Sequence, residues 1–400
     1  MITPRTWLPL LALTVAACVA TPPNAPSAVP ASPPAAAANT TGATAAAAAP
    51  DAPRTRGFRG DGECPPEFSG TCYPLWFGTN RKPLDSADPG KGFGAEVDDR
   101  IHFGKRIVRI PSSHRVGELG SPLWRRLLTQ VDDRIAVTPA KVLPADAFSR
   151  EVRAFIAGLN PADRNVLVYI HGFNTSFDDA TRRAAQLGFD LKVPGITVLY
   201  SWPSRGSASA YLSDLSAIEA SEAQIAEFLV GVTALADRGK VHIIAHSMGN
   251  RGLLRAMHRA TTQAALKTGT RFGQIFLSAP DVNTTLFRQL ASVYPLVAER
   301  TTLYVADQDK AIAALEWMTE DVRVGAAPPV LILPGIDTVR VRGSSLFRLG
   351  HSYFAEEPDV LRDIRAQLYW QESPARRQAR FGWPVPDIAP GAVGSWVIGR

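Results

Sequence analysis

A regular alternation of apolar runs and amphipathic segments, over roughly residues 165–370, most constrains what this chain can fold into. The apolar runs are typical of strands buried on both faces, and they read NVLVYIHG, ITVLYSWP, KVHIIAHS, QIFLSAPD, TTLYVADQD and VLILPGID. The segments between them, such as SFDDATRRAAQLGFDLK, carry apolar residues at helical spacing. Strands that alternate with helices predict an α/β fold, a mostly parallel sheet with helices on both faces.

The segments before and after this alternation set the domain boundaries. Early strands are expected in YPLWFGTNRK, RIVRIP and DRIAVTP, followed by a helix in ADAFSREVRAFIAGL. With 46% apolar and 20% charged residues, the chain has enough apolar material for a large core. We predict a globular domain over residues 57–372 and a tail over residues 373–400 that the pattern does not place.

The N-terminus has the pattern of an export signal. Residues 1–17 carry one early arginine and an apolar run too short to span a membrane, which predicts a signal peptide. The VAAC sequence that ends at Cys18 is similar to a bacterial lipobox, although an ordinary signal followed by an incidental cysteine is the alternative. Val19 stands where an aspartate would favour the inner membrane, so we expect a periplasmic lipoprotein anchored in the outer membrane. Residues 18–56 are rich in alanine and proline, which predicts a disordered tether.

Two further cysteines, Cys64 and Cys72, form an even pair in an oxidising compartment. A disulfide between them is favoured over two free thiols or half of a zinc site. Zinc would need two more ligands, and neither a CxxC nor an HxxxH pattern lies nearby. We therefore expect no metal, and the lack of a P-loop or dinucleotide fingerprint predicts no cofactor.

The net charge of +6 is weak evidence for a nucleic-acid partner. The basic doublets are scattered and lack interleaved aromatic residues, which is typical of a solvated surface. We expect contact with a membrane through the lipid anchor and no nucleic acid. The sequence does not indicate an oligomeric state.

Ser247 follows the predicted strand KVHIIAHS and precedes a predicted helix. This strand–turn–helix arrangement is that of a nucleophile elbow, which presents a serine hydroxyl at the carboxyl edge of a parallel sheet. The turn is sharp, so the positions two before and two after the serine must be small, as Ala245 and Gly249 are. The usual first glycine of the motif is replaced by alanine.

A serine hydroxyl needs a base to remove its proton. Of the seven histidines, His351 alone lies in a predicted loop between the last strand and the last helix. His246 neighbours the serine, where adjacent side chains diverge. We therefore predict that His351 is the base.

The histidine in turn needs a carboxylate, which in this chain order should lie between the serine and the histidine. Asp309 ends TTLYVADQD, the second predicted strand after the elbow, where such an acid usually lies. Asp281, which ends QIFLSAPD, is the runner-up, Asp307 is less favoured, and Asp337 ends VLILPGID. We choose Asp309 and keep Asp281 as the alternative.

An oxyanion formed by attack of the serine would need preorganised N–H donors. The backbone N–H of Met248, directly after the serine, is one candidate. The sequence YIHGFN supplies the other, because Gly172 permits close approach and Phe173 then presents its N–H. A plain glycine turn is the alternative for this segment.

Several motifs together resemble a bacterial family of α/β-hydrolase-fold proteins catalogued under a domain of unknown function and described as esterases. They span about residues 75–370 and read FGTNR, VLVYIHGFNTSFDDATRRAAQL, YSWPS, AYLSD, HIIAHSMGNR, SAPDVN, TLYVADQDKAI and LGHSYF. The resemblance implies an α/β-hydrolase fold and a triad of Ser247, Asp309 and His351.

We therefore expect a serine hydrolase that cleaves a small-molecule or lipid carboxylic ester through an acyl-enzyme. Hydrolysis of lipid acyl, thioester or amide bonds would use the same triad. A protein of another class, an idle envelope lipoprotein that only binds, would keep the fold without the chemistry.

Overall fold

Two neighbouring strands, each buried on both faces, form the centre of the sheet. Residues Asn165–Ile170 and Val241–His246 pair in parallel, and nearly all their side chains are inaccessible to solvent. Successive side chains of a strand point to opposite faces, so Val166 and Val168 enter one apolar layer while Leu167 enters the other. This two-sided burial is why the sequence lacks the apolar–polar alternation of a half-exposed strand.

The computed structural model describes residues 64–121, 133–236, 239–263, 265–266, 272–307, 322–342, 353–383 and 394–398. Its strands are β1 Gly70–Pro83, β2 Phe93–Pro111, β3 Ala136–Val137, β4 Lys141–Leu143, β5 Asn165–Ile170, β6 Gly195–Ser201, β7 Val241–His246, β8 Phe272–Ser278, β9 Ala298–Asp307, β10 Ala326–Ala327, β11 Asp337–Val341 and β12 Ser395–Ile398. Its α-helices are α1 Ala145–Ala157, α2 Phe177–Asp190, α3 Tyr211–Ala220, α4 Glu222–Leu235, α5 Gly249–Thr262, α6 Thr284–Leu290, α7 Val293–Val297, α8 Tyr353–Glu356, α9 Pro358–Trp370 and α10 Pro374–Phe381.

The strands lie in one sheet in the order β12-β11-β9-β8-β7-β5-β6-β1-β2-β3, with β10 beside β9 and β4 beside β2. From β1 to β12 the pairs are parallel. Strand β2 pairs antiparallel with β1, β3 and β4. The sheet is therefore mostly parallel, and the carboxyl ends of β5, β7, β8 and β9 meet at one edge.

Helices cover both faces of this sheet, which confirms the predicted fold class. Helices α1 and α3–α7 pack on one face, and α2, α8 and α9 pack on the other. Among the described helices, none combines the length and the apolar character needed to cross a bilayer.

The strand predicted in VLILPGID lies elsewhere in the structure. Leu333 and Ile336 form only an isolated bridge, and β11 begins at Asp337. Pro334 has no N–H for a ladder, and Gly335 has a φ of +78°, so this segment turns before the strand begins. Asp337 consequently starts a strand instead of ending one.

The C-terminal tail, which the sequence pattern does not place, extends the sheet. Strand β12 pairs in parallel with β11 at the edge of the sheet, and helix α10 precedes it. Near the other end of the described chain, Cys64 and Cys72 form a disulfide. Cys18 and the predicted signal peptide and tether lie outside the described residues.

Candidate active site

Ser247 occupies a strained turn between β7 and α5. Its φ is +51°, a left-handed conformation that costs a non-glycine residue about 1–3 kcal/mol. Backbone hydrogen bonds hold it there: its N–H donates to Ser278 O at 2.9 Å, and its carbonyl accepts from Asn250 N at 3.0 Å and Asp281 N at 3.2 Å. Such strain persists only where the surroundings over-determine it, as they do at this serine.

The need for a small residue two positions after Ser247 is visible in the packing. A Cβ built on Gly249 would lie 2.4 Å from the carbonyl oxygen of His171 and 2.9 Å from that of Ile170. Real Cβ atoms do not approach backbone oxygens so closely. Glycine therefore lets α5 begin directly against the end of β5.

The loop after β5 lies against the serine. A Cβ built on Gly172 would be 2.9 Å from the Ser247 Cβ, so the HGFN loop and the elbow are in close contact. Among the described residues, neither the Phe173 N–H nor the Met248 N–H has a hydrogen-bond acceptor. Two backbone donors without a partner in the described part of the chain thus belong to the elbow and the adjoining loop, and Met248 also stands at the positive end of the helix α5 dipole.

His171 anchors the start of this loop and is neutral. Burial and the neighbouring Arg81 charge lower its pKa from 6.5 to about 3. We place its single N–H on Nδ1, 2.8 Å from Gly172 O, which leaves Nε2 to accept from the Ser201 hydroxyl at 3.2 Å. The ring stacks on Trp202 with centroids 5.0 Å apart. A ring held in this way has a structural role in the loop.

Other described histidines are also accounted for by their contacts. His102 and His114 lie 2.9 and 2.7 Å from carboxylate oxygens. The Nδ1 of His242 accepts the Gln274 N–H at 2.9 Å within the sheet, and burial lowers the pKa of His242 to about 3. His258 is exposed on α5.

The His246 ring lies beside the HGFN loop, since a Cβ built on Gly172 would be 2.7 Å from its Nδ1. Its ring stacks on Phe354 of α8, with centroids 4.3 Å apart. Helix α8 is therefore packed beside the elbow. The predicted base, His351, lies outside the described residues, two positions before α8 begins.

Asp281 lies close to the elbow, and its carboxylate contacts Tyr211 and Arg323. It is buried, accepts the Tyr211 hydroxyl at 2.9 Å and lies 3.5 Å from Arg323 Nε. It is not a helix cap, because Asn283 caps α6. The favoured acid, Asp309, lies outside the described residues, two positions beyond the end of β9.

Asp337, another candidate acid, begins β11 and does not follow the carboxyl end of a strand. It pairs in register with Thr302, in the middle of β9 and two residues before Tyr304, which is level with the end of β7. Its carboxylate lies 2.5 Å from Arg300. Within the described part of the chain, no three histidine, cysteine or acidic side chains gather closely enough to hold a metal ion.

A serine presented by a strained strand–turn–helix elbow at the carboxyl edge of a parallel sheet is the mark of the α/β hydrolases. The comparison with protein families identifies one family within this class. The model of the family described as alpha/beta hydrolase of unknown function (DUF900) matches residues 146–369, more than half of the chain, and the chain belongs to that family.

Other comparisons add little to the family assignment. Among the solved structures that match, a predicted CIB-like hydrolase from Thermoplasma acidophilum has 15% sequence identity, and the match covers 53% of this chain and 89% of that one. Its TM-score of 0.28 is too low to carry an argument. A search of the curated proteins finds none that matches this chain.

Proposed function

We propose that this α/β hydrolase cleaves carboxylic esters with Ser247 as the nucleophile. His351 takes the hydroxyl proton, Ser247 attacks the ester carbonyl, and the N–H groups of Phe173 and Met248 stabilise the oxyanion. The alcohol leaves with the proton from His351, and water then cleaves the acyl-enzyme with the same base. Asp309 orients the imidazole and stabilises its charged form.

One observation carries this proposal: Ser247 is held at a φ of +51° in contact with the HGFN loop, and neither the Met248 N–H next to it nor the Phe173 N–H of that loop has an acceptor among the described residues. Strain and unsatisfied donors both cost free energy. Their coincidence at one serine favours a site in which an oxyanion supplies the missing acceptor.

The assignment of His351 is supported by elimination and by chain connectivity. The described histidines have other contacts or lie elsewhere. Helix α8 begins two residues after His351 and packs Phe354 on His246 beside the elbow. Two extended residues span at most about 7 Å, and this short connection to α8 supports the choice of His351 as the base.

The preference for Asp309 over Asp281 is supported by the sheet order and by the contacts of Asp281. Only β8 separates β9 from β7, so the two strands lie about 10 Å apart, and β9 ends at Asp307, three residues beyond Tyr304, which is level with His246. One oxygen of the Asp281 carboxylate accepts the Tyr211 hydroxyl, and the other lies 3.5 Å from Arg323 Nε. Asp309→Asn should abolish turnover, whereas a folded Asp281→Asn that alone abolishes it would reverse the assignment.

The decisive experiment is turnover of model esters over a range of acyl-chain lengths, with a fluorophosphonate probe to label the nucleophile. Ser247→Ala should lose at least about 10³-fold in kcat and all labelling. Ser278→Ala is the matched control, because this serine ends the neighbouring strand and its buried hydroxyl has no hydrogen bond within the described residues. A wild-type chain that neither labels nor turns over would favour an idle binding protein.

The same panel separates the related chemistries. Amide, thioester and phospholipid substrates share the triad mechanism and differ in the pocket that receives them. Faster turnover of any of these than of simple esters would replace the proposed substrate class and leave the mechanism intact.

We further propose that the enzyme is a periplasmic lipoprotein anchored to the outer membrane through Cys18. The support is the lipobox-like sequence and the polar, proline-rich segment that follows it. Labelled palmitate should be incorporated into the wild-type chain and not into Cys18→Ala. A wild-type chain that never incorporates palmitate would contradict the anchor.

A further inference from the structure

Arg81, the last residue of the FGTNR motif, is buried at the carboxyl edge of β1 and has no evident role in the mechanism above. Its side chain is 1% exposed, yet all five guanidinium N–H groups face acceptors. The contacts are Nε to Ser201 Oγ at 2.9 Å, Nη1 to Gly94 O at 2.9 Å and to Ser204 O at 2.8 Å, and Nη2 to Thr175 O at 2.8 Å and His171 Nε2 at 3.4 Å.

Within the described residues, no carboxylate forms an ion pair with this guanidinium. Asp214 makes the larger compensating contribution, ahead of Asp179, and its carboxylate accepts the Ser204 hydroxyl at 2.5 Å. Burial lowers the pKa of Arg81 to about 9, with Asp214 opposing the shift, so the group remains charged at neutral pH. A buried charge held mainly by backbone carbonyls is costly, and its retention calls for a reason other than stability.

The acceptors of Arg81 belong to the segments that surround the HGFN loop. At the start of this loop, the Trp202 indole donates to His171 O at 2.7 Å, and Arg81 and Ser201 contact the His171 ring. At its end, Thr175 O accepts from Arg81.

Ser204 fastens the same end of the loop a second time. Thr175 N donates to Ser204 Oγ at 3.0 Å, and Ser204 O in turn accepts from Arg81. Phe173 is two residues from His171 and two from Thr175, so the direction of its N–H depends on the contacts that hold both of these residues.

We propose that Arg81 is a positioning residue for the oxyanion hole. It fixes both ends of the loop that carries the Phe173 N–H and places a positive charge behind that loop. This inference rests on the proposed serine-hydrolase function. It extends that function by assigning a role to the FGTNR and YSWPS motifs.

Arg81→Lys tests the proposal, because an ammonium keeps the charge but cannot direct five donors to three chain segments. We expect kcat/KM for a model ester to fall about 10²-fold, the size of the loss of one oxyanion donor, with KM changed less than about twofold. Affinity for a trifluoromethyl ketone, which forms a tetrahedral oxyanion on the serine, should weaken by a similar factor.

Arg377→Lys is the matched control. Arg377 is equally buried and donates to the Glu372 carbonyl and to Asp363 at 2.5 Å, in the C-terminal helices α9 and α10 and the turn between them. It should lower Tm to a comparable extent while kcat/KM and ketone affinity stay within about twofold of the wild type.

The outcomes separate this inference from the proposed function. If the wild type is active and the kcat/KM of Arg81→Lys is within twofold of the wild-type value, the inference is overturned. A loss of kcat/KM in this variant without a parallel loss of ketone affinity also overturns it. A wild type without turnover or labelling overturns the proposed function instead.

If Arg81→Lys does not fold, Ser204→Ala loosens the Thr175 end of the loop alone. It should reduce kcat/KM and ketone affinity together, by about tenfold. Unchanged kinetics in folded Ser204→Ala would overturn the inference.

Discussion

Arg81 and Arg377 are equally buried, each 1% exposed, but their surroundings are opposite. Arg377 Nε lies 2.5 Å from Asp363, and both side chains are buried. In the described part of the chain, Arg81 has no ion-pair partner and is held by three carbonyls and the Ser201 hydroxyl. The first arrangement neutralises a charge inside the fold, whereas the second keeps a charge beside the candidate active site.

The two arginines also connect different parts of the chain. Arg377 belongs to a C-terminal cluster, in which the Asp363 carboxylate accepts the Tyr304 hydroxyl at 2.5 Å and the Gln367 amide at 3.1 Å. This cluster fastens α9 and α10 to β9, and so keeps the tail on the sheet. Arg81 fastens loops, with its most distant acceptor 123 positions away. The comparison suggests that one cluster serves stability and the other serves geometry.

Removing Arg377 should have the largest effect on stability. Arg377→Met leaves Asp363 buried and unpaired, so we expect a loss of about 3–5 kcal/mol in the free energy of unfolding. Chemical denaturation measures this loss, and kcat/KM of the folded fraction should stay within about twofold of the wild type. If kcat/KM of the folded fraction instead falls by as much as is expected for Arg81→Lys, the C-terminal cluster does not serve stability alone.

Replacing both charges of the C-terminal cluster sharpens the same point. Arg377→Met with Asp363→Leu should recover most of the lost stability, because well-packed apolar residues often replace a buried ion pair without cost. A double variant no more stable than the single one would show that the hydrogen bonds of Asp363, and not its charge, dominate the cluster.

Acid should destabilise the protein through its neutral buried histidines. The pKa values of His171 and His242 are lowered to about 3, so between pH 3 and 6.5 the unfolded chain binds protons that the native chain does not. The free energy of unfolding should therefore fall as pH decreases through this window, by up to about 1.4 kcal/mol per pH unit for each ring.

Glutamine variants of the two histidines separate stability from catalysis. His171→Gln and His242→Gln should each flatten the acid dependence of unfolding, and only His171→Gln, at the start of the HGFN loop, should lower kcat/KM at pH 7. If the acid dependence of unfolding is unchanged in both variants, the two histidines are not neutral in the folded protein.

The smallest effect is expected at the cap of α2. The Ser176 hydroxyl accepts the Asp179 N–H at 3.1 Å, directly after the Thr175 carbonyl that Arg81 holds. Ser176→Ala should cost about 1 kcal/mol of stability. If Arg81 fixes the loop, kcat/KM should change less than twofold, and a larger change would move that role to the helix cap.

Much of the fold could be predicted, because two-sided burial leaves continuous apolar runs in the sequence. The elbow was also predictable, since the sharp turn restricts Ala245 and Gly249 to small residues. The VLILPGID prediction was wrong because an apolar run alone does not reveal that Pro334 and Gly335 turn the chain before Asp337. The edge strand β12 was missed because four residues carry too little periodic signal.

By itself, the sequence determined the α/β class, the helices on both faces and the position of the elbow serine. These features follow from the spacing of apolar residues and from limits on side-chain size, and both are visible in residues that are close together in the sequence. Only the tertiary structure decided that Arg81 holds the HGFN loop, that Asp281 is engaged by Tyr211 and that Asp337 begins β11. A contact to a backbone carbonyl does not depend on the type of residue that supplies it, so the sequence does not reveal it. Strand register decides which end of the sheet a side chain occupies.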